Sequence, residues 1–226
     1  MKIIYHGHAT LSVILNDGTR ILVDPFFTGN SWSTVKPEEI SCDYILATHG
    51  HNDHIQDLLP IAKKNKATVI AIAELASWAK KNGAKSHGMN LGGSFEFPFG
   101  HIKMVTAQHS SSFTEDGKTI YLGEPAGFIL QADGKTIYLA GDTAYFSDMK
   151  LLADDFVIDL AVLPIGDNFT MGIKDAVKAA KAVEAKKVLP IHYNTFPAIK
   201  QDPEKFAKSL PAGVVSILKA EEELII

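Results

Sequence analysis

Four residues in a run of six, His49, His51, Asp53 and His54, carry metal-ligating side chains within Thr48-His49-Gly50-His51-Asn52-Asp53-His54. Imidazole nitrogen and carboxylate oxygen are donors that divalent zinc accepts. Residues two apart on extended chain point the same way, so His49 and His51 can face one ion together. Asp53 and His54 follow where the chain turns toward a helix, and can face a second ion beside the first. Gly50 is expected to allow the tight backbone that brings these groups together. A solvated polar loop with Asp53 as a helix cap could use the same residue types. Three imidazoles and a carboxylate crowded together are nonetheless expensive without partners.

Two ions need further ligands, and the sequence offers them where apolar runs end. His109 follows residues 102–106, Asp142 follows 136–140 and His192 follows 187–191. Alone, Asp142 reads as a helix cap and the two histidines as ordinary loop residues. Their joint occurrence with the His49–His54 cluster makes them candidate ligands. Asp24, in Val23-Asp24-Pro25, is expected either to fix a ligand histidine's tautomer by accepting its free N–H or simply to form a turn. His8 can reach the cavity as a donor to substrate or be a half-buried structural histidine. Asn168, Phe169 and Asn194 flank strand ends and are candidate substrate contacts. His6 and His101 are expected to lie away from the metals, whereas His87 can approach the mouth.

The elements that must position these groups alternate clearly. Strands are expected at 2–5, 10–15, 20–24, 44–47, 67–72, 102–106, 127–131, 136–140, 159–163, 187–191 and 214–218. Asp17-Gly18 and Asp133-Gly134 mark hairpin turns. Helical periodicity covers residues 55–65, 74–82, 145–153, 173–185 and 203–209, the last with Asp202 as N-cap and Pro203 at the first helical position. Residues 110–125 read as a long loop, either a lid or part of an oligomer interface. No linker divides the chain. The order predicts one domain, residues 1–226, in which two sheet-plus-helix halves pack sheet to sheet with helices outside.

Composition narrows the function. At 226 residues with 46% hydrophobic and 21% charged residues, the chain can bury a core without a staple, so a metal serves chemistry rather than stability. A net charge of -4 and no basic stripe disfavour nucleic acid as a partner. No apolar run approaches a membrane span. The single cysteine, Cys42, cannot form an internal disulfide. Met1-Lys2 runs straight into a strand pattern without a signal-peptide profile, and with the lone cysteine this predicts a cytoplasmic protein.

The pattern His-x-His-x-Asp-His, then a lone His, an Asp after an apolar strand and a late His, resembles the metallo-β-lactamase superfamily. His8-Ala9-Thr10, Asp24-Pro25-Phe26 and residues 166–172 resemble a subgroup of uncharacterised metal-dependent hydrolases within it. More distantly, the chain is similar to L-ascorbate-6-phosphate lactonase and N-acyl phosphatidylethanolamine phospholipase D. The resemblance implies an α+β fold, an αββα four-layer sandwich of two mixed sheets. It implies His49, His51 and His109 on one metal, Asp53, His54 and His192 on the other, and Asp142 bridging them. The cofactor expected is two divalent ions, Zn²⁺ or alternatively Mn²⁺, with a bridging hydroxide as nucleophile and Asp53 orienting it and relaying its proton. The substrate expected is a small molecule with an ester, lactone or phosphodiester bond. An iron-dependent oxidative enzyme on the same scaffold and a non-catalytic metal-binding protein are the alternatives; a homo-oligomer is compatible with all three.

Overall fold

The computed structural model describes residues 1–115 and 117–226. The first half contains β1 (Lys2–Tyr5), β2 (Leu11–Ile14), β3 (Arg20–Val23), β4 (Tyr44–Leu46), α1 (Asn52–Ile55), α2 (Leu58–Asn65), β5 (Thr68–Ile72), α3 (Ala73–Lys81) and β6 (Lys85–Met89). There follow β7 (Ser94–Phe97), β8 (Gly100–Thr106), β9 (Ser112–Glu115), β10 (Lys118–Tyr121), β11 (Ala126–Ala132) and β12 (Lys135–Leu139). The chain then forms α4 (Leu151–Asp155), β13 (Leu160–Pro164), α5 (Ile173–Ala182), β14 (Lys187–Ile191), α6 (Pro203–Lys208) and β15 (Glu223–Ile225).

Two mixed sheets result, in the orders β15-β1-β2-β3-β4-β5-β6 and β14-β13-β12-β11-β8-β7, with β9 and β10 as a separate ribbon. Both follow one plan. An antiparallel hairpin, β2–β3 or β11–β12, leads into parallel strands, β4–β5–β6 or β13–β14. Strands such as β4, β5 and β13 are apolar on both faces and buried throughout most of their length, as parallel strands between layers must be. Helices α2 and α3 cover the first sheet, and α5 packs on β13 of the second. This is the expected four-layer sandwich.

Three departures have physical causes. The expected helix over 55–65 is broken into α1 and α2, because the Asp57 carboxylate turns away to accept from the Phe27 and Thr28 amides and the Thr28 hydroxyl. The expected strand at 214–218 reduces to one bridge, Val188 with Val215. Val188 donates to Val214 and accepts from Ser216, but the next donor along β14 would be Pro190, which has no N–H, so the ladder stops. The chain pairs instead further on, as β15 against β1. The expected loop over 110–125 contains the β9–β10 ribbon, whose Phe113 packs edge-on against Trp78 with ring centroids 5.3 Å apart. Asp116 of that segment lies outside the described residues. No helix among the described residues is long and apolar enough to cross a membrane. Cys42 is buried, and burial together with Asp43 pushes its thiol up to about 12, so it is no nucleophile.

Candidate metal centre

The ligand candidates meet because five strands end on one rim. Asp24 follows β3, His49 follows β4, His109 follows β8, Asp142 follows β12 and His192 follows β14. Asp53 and His54 sit on the single turn of α1. Three of the residues that carry the rim, His8, Asp24 and His192, adopt left-handed backbone with φ of +57°, +44° and +55°. For side chains with a Cβ this costs on the order of 1 kcal/mol each, and such strain is characteristically held at functional sites.

Two groups of donors converge. His49 Nε2 and His109 Nε2 lie 3.0 and 3.2 Å from His51 Nδ1. Beside them, Asp53 and His192 approach to 3.7 Å, and with His54 and His8 they form a second compact group. Asp142 Oδ2 lies between the groups. It is 3.0 Å from His192 Nε2, 3.4 Å from His54 Nε2, 3.6 Å from His109 Nε2 and 4.0 Å from His49 Nε2. One oxygen atom therefore lies against two histidines of each group.

The surrounding hydrogen bonds aim the ring nitrogens inward. Asp24 accepts from the Thr48 hydroxyl at 2.6 Å and from His54 Nδ1 at 2.8 Å, which leaves His54 Nε2 facing the centre. The Thr48 hydroxyl, having donated to Asp24, accepts from His49 Nδ1 at 3.0 Å, so His49 Nε2 keeps its lone pair for the centre. Thr48 is a positioning group that the sequence did not announce. His54 Nε2 and Asp142 Oδ1 are buried without a hydrogen-bond partner. Buried polar atoms rarely stay unpaired, and His54 Nε2 faces Asp142 Oδ2 at 3.4 Å, among the converging donors.

Electrostatics agree. Burial disfavours charge on Asp142, but His192 and His54 outweigh it and hold the carboxyl well below its usual range. Asp53 is likewise held ionised, against burial, by His192 and His8. Burial opposes charge on His54 and His192 too, yet Asp142 beside them raises both, His192 to about 9. His49, by contrast, is driven well below its usual value by burial and by His54. Two ionised carboxylates in one pocket thus demand positive charge. Imidazoles and carboxylates at these separations are a donor set that fits divalent ions.

Other expected site residues are placed differently. Phe169 lines a cavity of about 270 Å³ together with His51, Asp53, His109, Ser110, Asp142 and His192. Asn168 is exposed and does not line it; its amide donates to Asp167. Asn194 also lies off this cavity, because its side-chain oxygen is used to accept from the Gln201 amide and close a loop. His8 is fully buried beneath Asp53 with both ring nitrogens engaged, so it presents no free donor to a substrate. Ser110, unmarked in the sequence, brings its hydroxyl within 3.2 Å of His51 Nε2. His6 is held between Ser12 and Glu221, and His87 packs among Phe95 and Phe97, away from the mouth.

Gly50 matters for space and not for an unusual φ: a Cβ there would lie 2.7 and 2.8 Å from Leu122 Cδ1 and Cβ. Gly50→Ala is expected to lower the unfolding free energy by about 1–3 kcal/mol through overpacking. Urea denaturation of the metal-free protein checks this, and an unchanged midpoint would remove the contact from the account.

Residues 19–193 match the model of the beta-lactamase superfamily domain. The chain belongs to the metallo-β-lactamase superfamily. Among its superfamily relatives it is 54% identical over 215 residues to a UPF0173 metal-dependent hydrolase of Enterococcus faecalis, covering 95% of this chain and 96% of that protein. It is 53% identical over 226 residues to the UPF0173 metal-dependent hydrolase YtkL of Bacillus subtilis, covering 99% of each. Igni18, a metallo hydrolase from Ignicoccus hospitalis, superposes with a TM-score of 0.89 at 33% identity, covering 99% of this chain and 97% of that one. This superfamily member is a metal-dependent hydrolase, and the expected fold and family stand.

Proposed function

We propose that this hydrolase works with two divalent ions, zinc or manganese, and cleaves an ester, lactone or phosphodiester bond in a small molecule. The observation that carries the reading is the position of Asp142 Oδ2 against two histidines of each donor group. His49, His51 and His109 would hold one ion and Asp53, His54 and His192 the other, with Asp142 between them. Such ions, when bound, ionise a water near neutral pH and polarise the scissile carbonyl or phosphoryl group.

The chain's own residues do the rest. Asp24 and Thr48 orient the rings of His54 and His49 so that both Nε2 atoms face the centre; His49 offers its lone pair directly, and His54 would give up its Nε2 proton to an ion. The Asp53 side chain is 28% exposed and opens onto the cavity, where its carboxylate accepts a hydrogen bond from the attacking water and relays the proton to the leaving atom. The half-exposed Phe169 ring forms the cavity wall on which the substrate packs. A cavity of about 270 Å³ suits a small substrate. A single buried cysteine suits the reducing cytoplasm, where we place the activity.

Metal analysis with a substrate panel tests the reading. Two zinc or manganese ions per chain, with turnover of at least one ester, lactone or phosphodiester, is the expected result. A single iron per chain and no turnover across the loaded panel would sink it.

A further inference from the structure

We propose that His8 is the positioning residue of the second metal site: it holds Asp53 and His192 in place, and Thr195 fixes its tautomer. The proposal rests on the dinuclear reading above. His8 Nε2 lies 3.0 Å from Asp53 Oδ2, and His8 Nδ1 lies 2.5 Å from Thr195 Oγ1. Asp53 is an ionised carboxylate and can only accept. The proton of a neutral His8 must then sit on Nε2, and Nδ1 must accept from the Thr195 hydroxyl. The direction of the chain is fixed: Thr195 donates to His8, and His8 donates to Asp53.

His8 also grips the other side of the site. Its ring lies against that of His192, with centroids 4.1 Å apart, and its carbonyl accepts from the His192 amide at 2.7 Å. Its own backbone is held by the Tyr5 hydroxyl, which donates to the same carbonyl at 3.1 Å. Phe26 and Phe196 pack edge-on around the ring, with centroids 5.3 and 5.1 Å away. A residue near the start of the chain thus ties together two ligands that come from opposite halves of the sandwich. The group His49, His51 and His109 receives none of these contacts, so the effect belongs to one site only.

Zinc titrated calorimetrically into metal-free wild type, His8→Phe, Thr195→Val and Thr195→Ser tests this. His8→Phe keeps a ring and removes both hydrogen bonds. Thr195→Val keeps the shape and removes only the hydroxyl, so it carries the test if His8→Phe does not fold. In both, the dissociation constant of one of the two zinc ions should rise about 10–100-fold while the other is unchanged. Thr195→Ser should bind both ions as the wild type does. Two zinc ions bound with wild-type affinity by His8→Phe and Thr195→Val would overturn the proposal alone. Equal weakening of both ions in a folded Thr195→Val chain would also overturn it, since that marks a general structural role. A wild-type chain that holds only one zinc ion overturns the dinuclear reading, and this proposal with it.

Discussion

Asp142→Ala is expected to lower metal content at both positions and to reduce kcat/KM by at least about 10³-fold, the scale of losing a central electrostatic group. Among the described residues, Asp142 forms close contacts with nitrogens of both donor groups. Its Oδ2 lies 3.0 to 4.0 Å from a nitrogen of His192, His54, His109 and His49. Removing it also takes away the main cause of the raised pKa of His54 and His192, which leaves five imidazoles with the Asp53 carboxylate alone to balance a second cation. Asp142→Asn sharpens the test. Asparagine keeps the side chain's shape and an accepting oxygen, so a purely steric role would survive that change. A charge shared by two ions would not. Atomic absorption on both variants and turnover on the best substrate decide it, and retained metal with retained hydrolysis in Asp142→Asn would refute the bridging role.

Four of the candidate ligands were legible because each stands within three residues of the end of an apolar strand. On such a strand, side-chain direction follows from parity alone, and a polar residue at the end of a buried run must face the rim. His49, His109, Asp142 and His192 share that context. Asp24 had two open readings, a turn and a partner for a ligand histidine; it stands just after β3, and its carboxylate accepts from His54. What stayed hidden depends on partners distant in sequence. His8 faces Asp53, 45 residues on, and Thr195, 187 residues on, so nothing local marks its role. Thr48 looks like any strand-end threonine until Asp24 and His49 are placed on either side of it. Asn194 carries the same amide that a substrate contact would use, but its oxygen accepts from the Gln201 amide and it lies off the cavity. The ribbon β9–β10 and strands β6 and β7 have polar, weakly alternating sequences whose pairing comes from the sheet or the adjacent strand rather than from their own composition.

Stripping the metal should abolish hydrolysis and also lower the melting temperature by an amount that depends on pH. An ion present at about a thousand times its dissociation constant stabilises the folded chain by about 4 kcal/mol. In a chain of this length that is about 8–16 °C. The sign of the pH dependence follows from His192. Against the effect of burial, Asp142 and Asp53 push its pKa up from 6.5 to about 9. In the metal-free protein this raised value contributes stability fully below pH 6.5, and that contribution is lost as pH rises through about 9. On the acid side, burial and His192 lower His8 from 6.5 to about 4, so stability falls as pH drops through that window. The metal-free chain should therefore be most stable near pH 6.5. An ion on His192 Nε2 requires the neutral imidazole and must displace its proton, so metal affinity rises over the interval in which the metal-free protein weakens. The difference in melting temperature between loaded and stripped protein should accordingly widen from pH 6.5 to pH 9, as read by calorimetry in buffers of matched ionic strength. A difference that stays constant across that range would mean that the ion does not compete with a proton on His192, and would remove that residue from the second metal site.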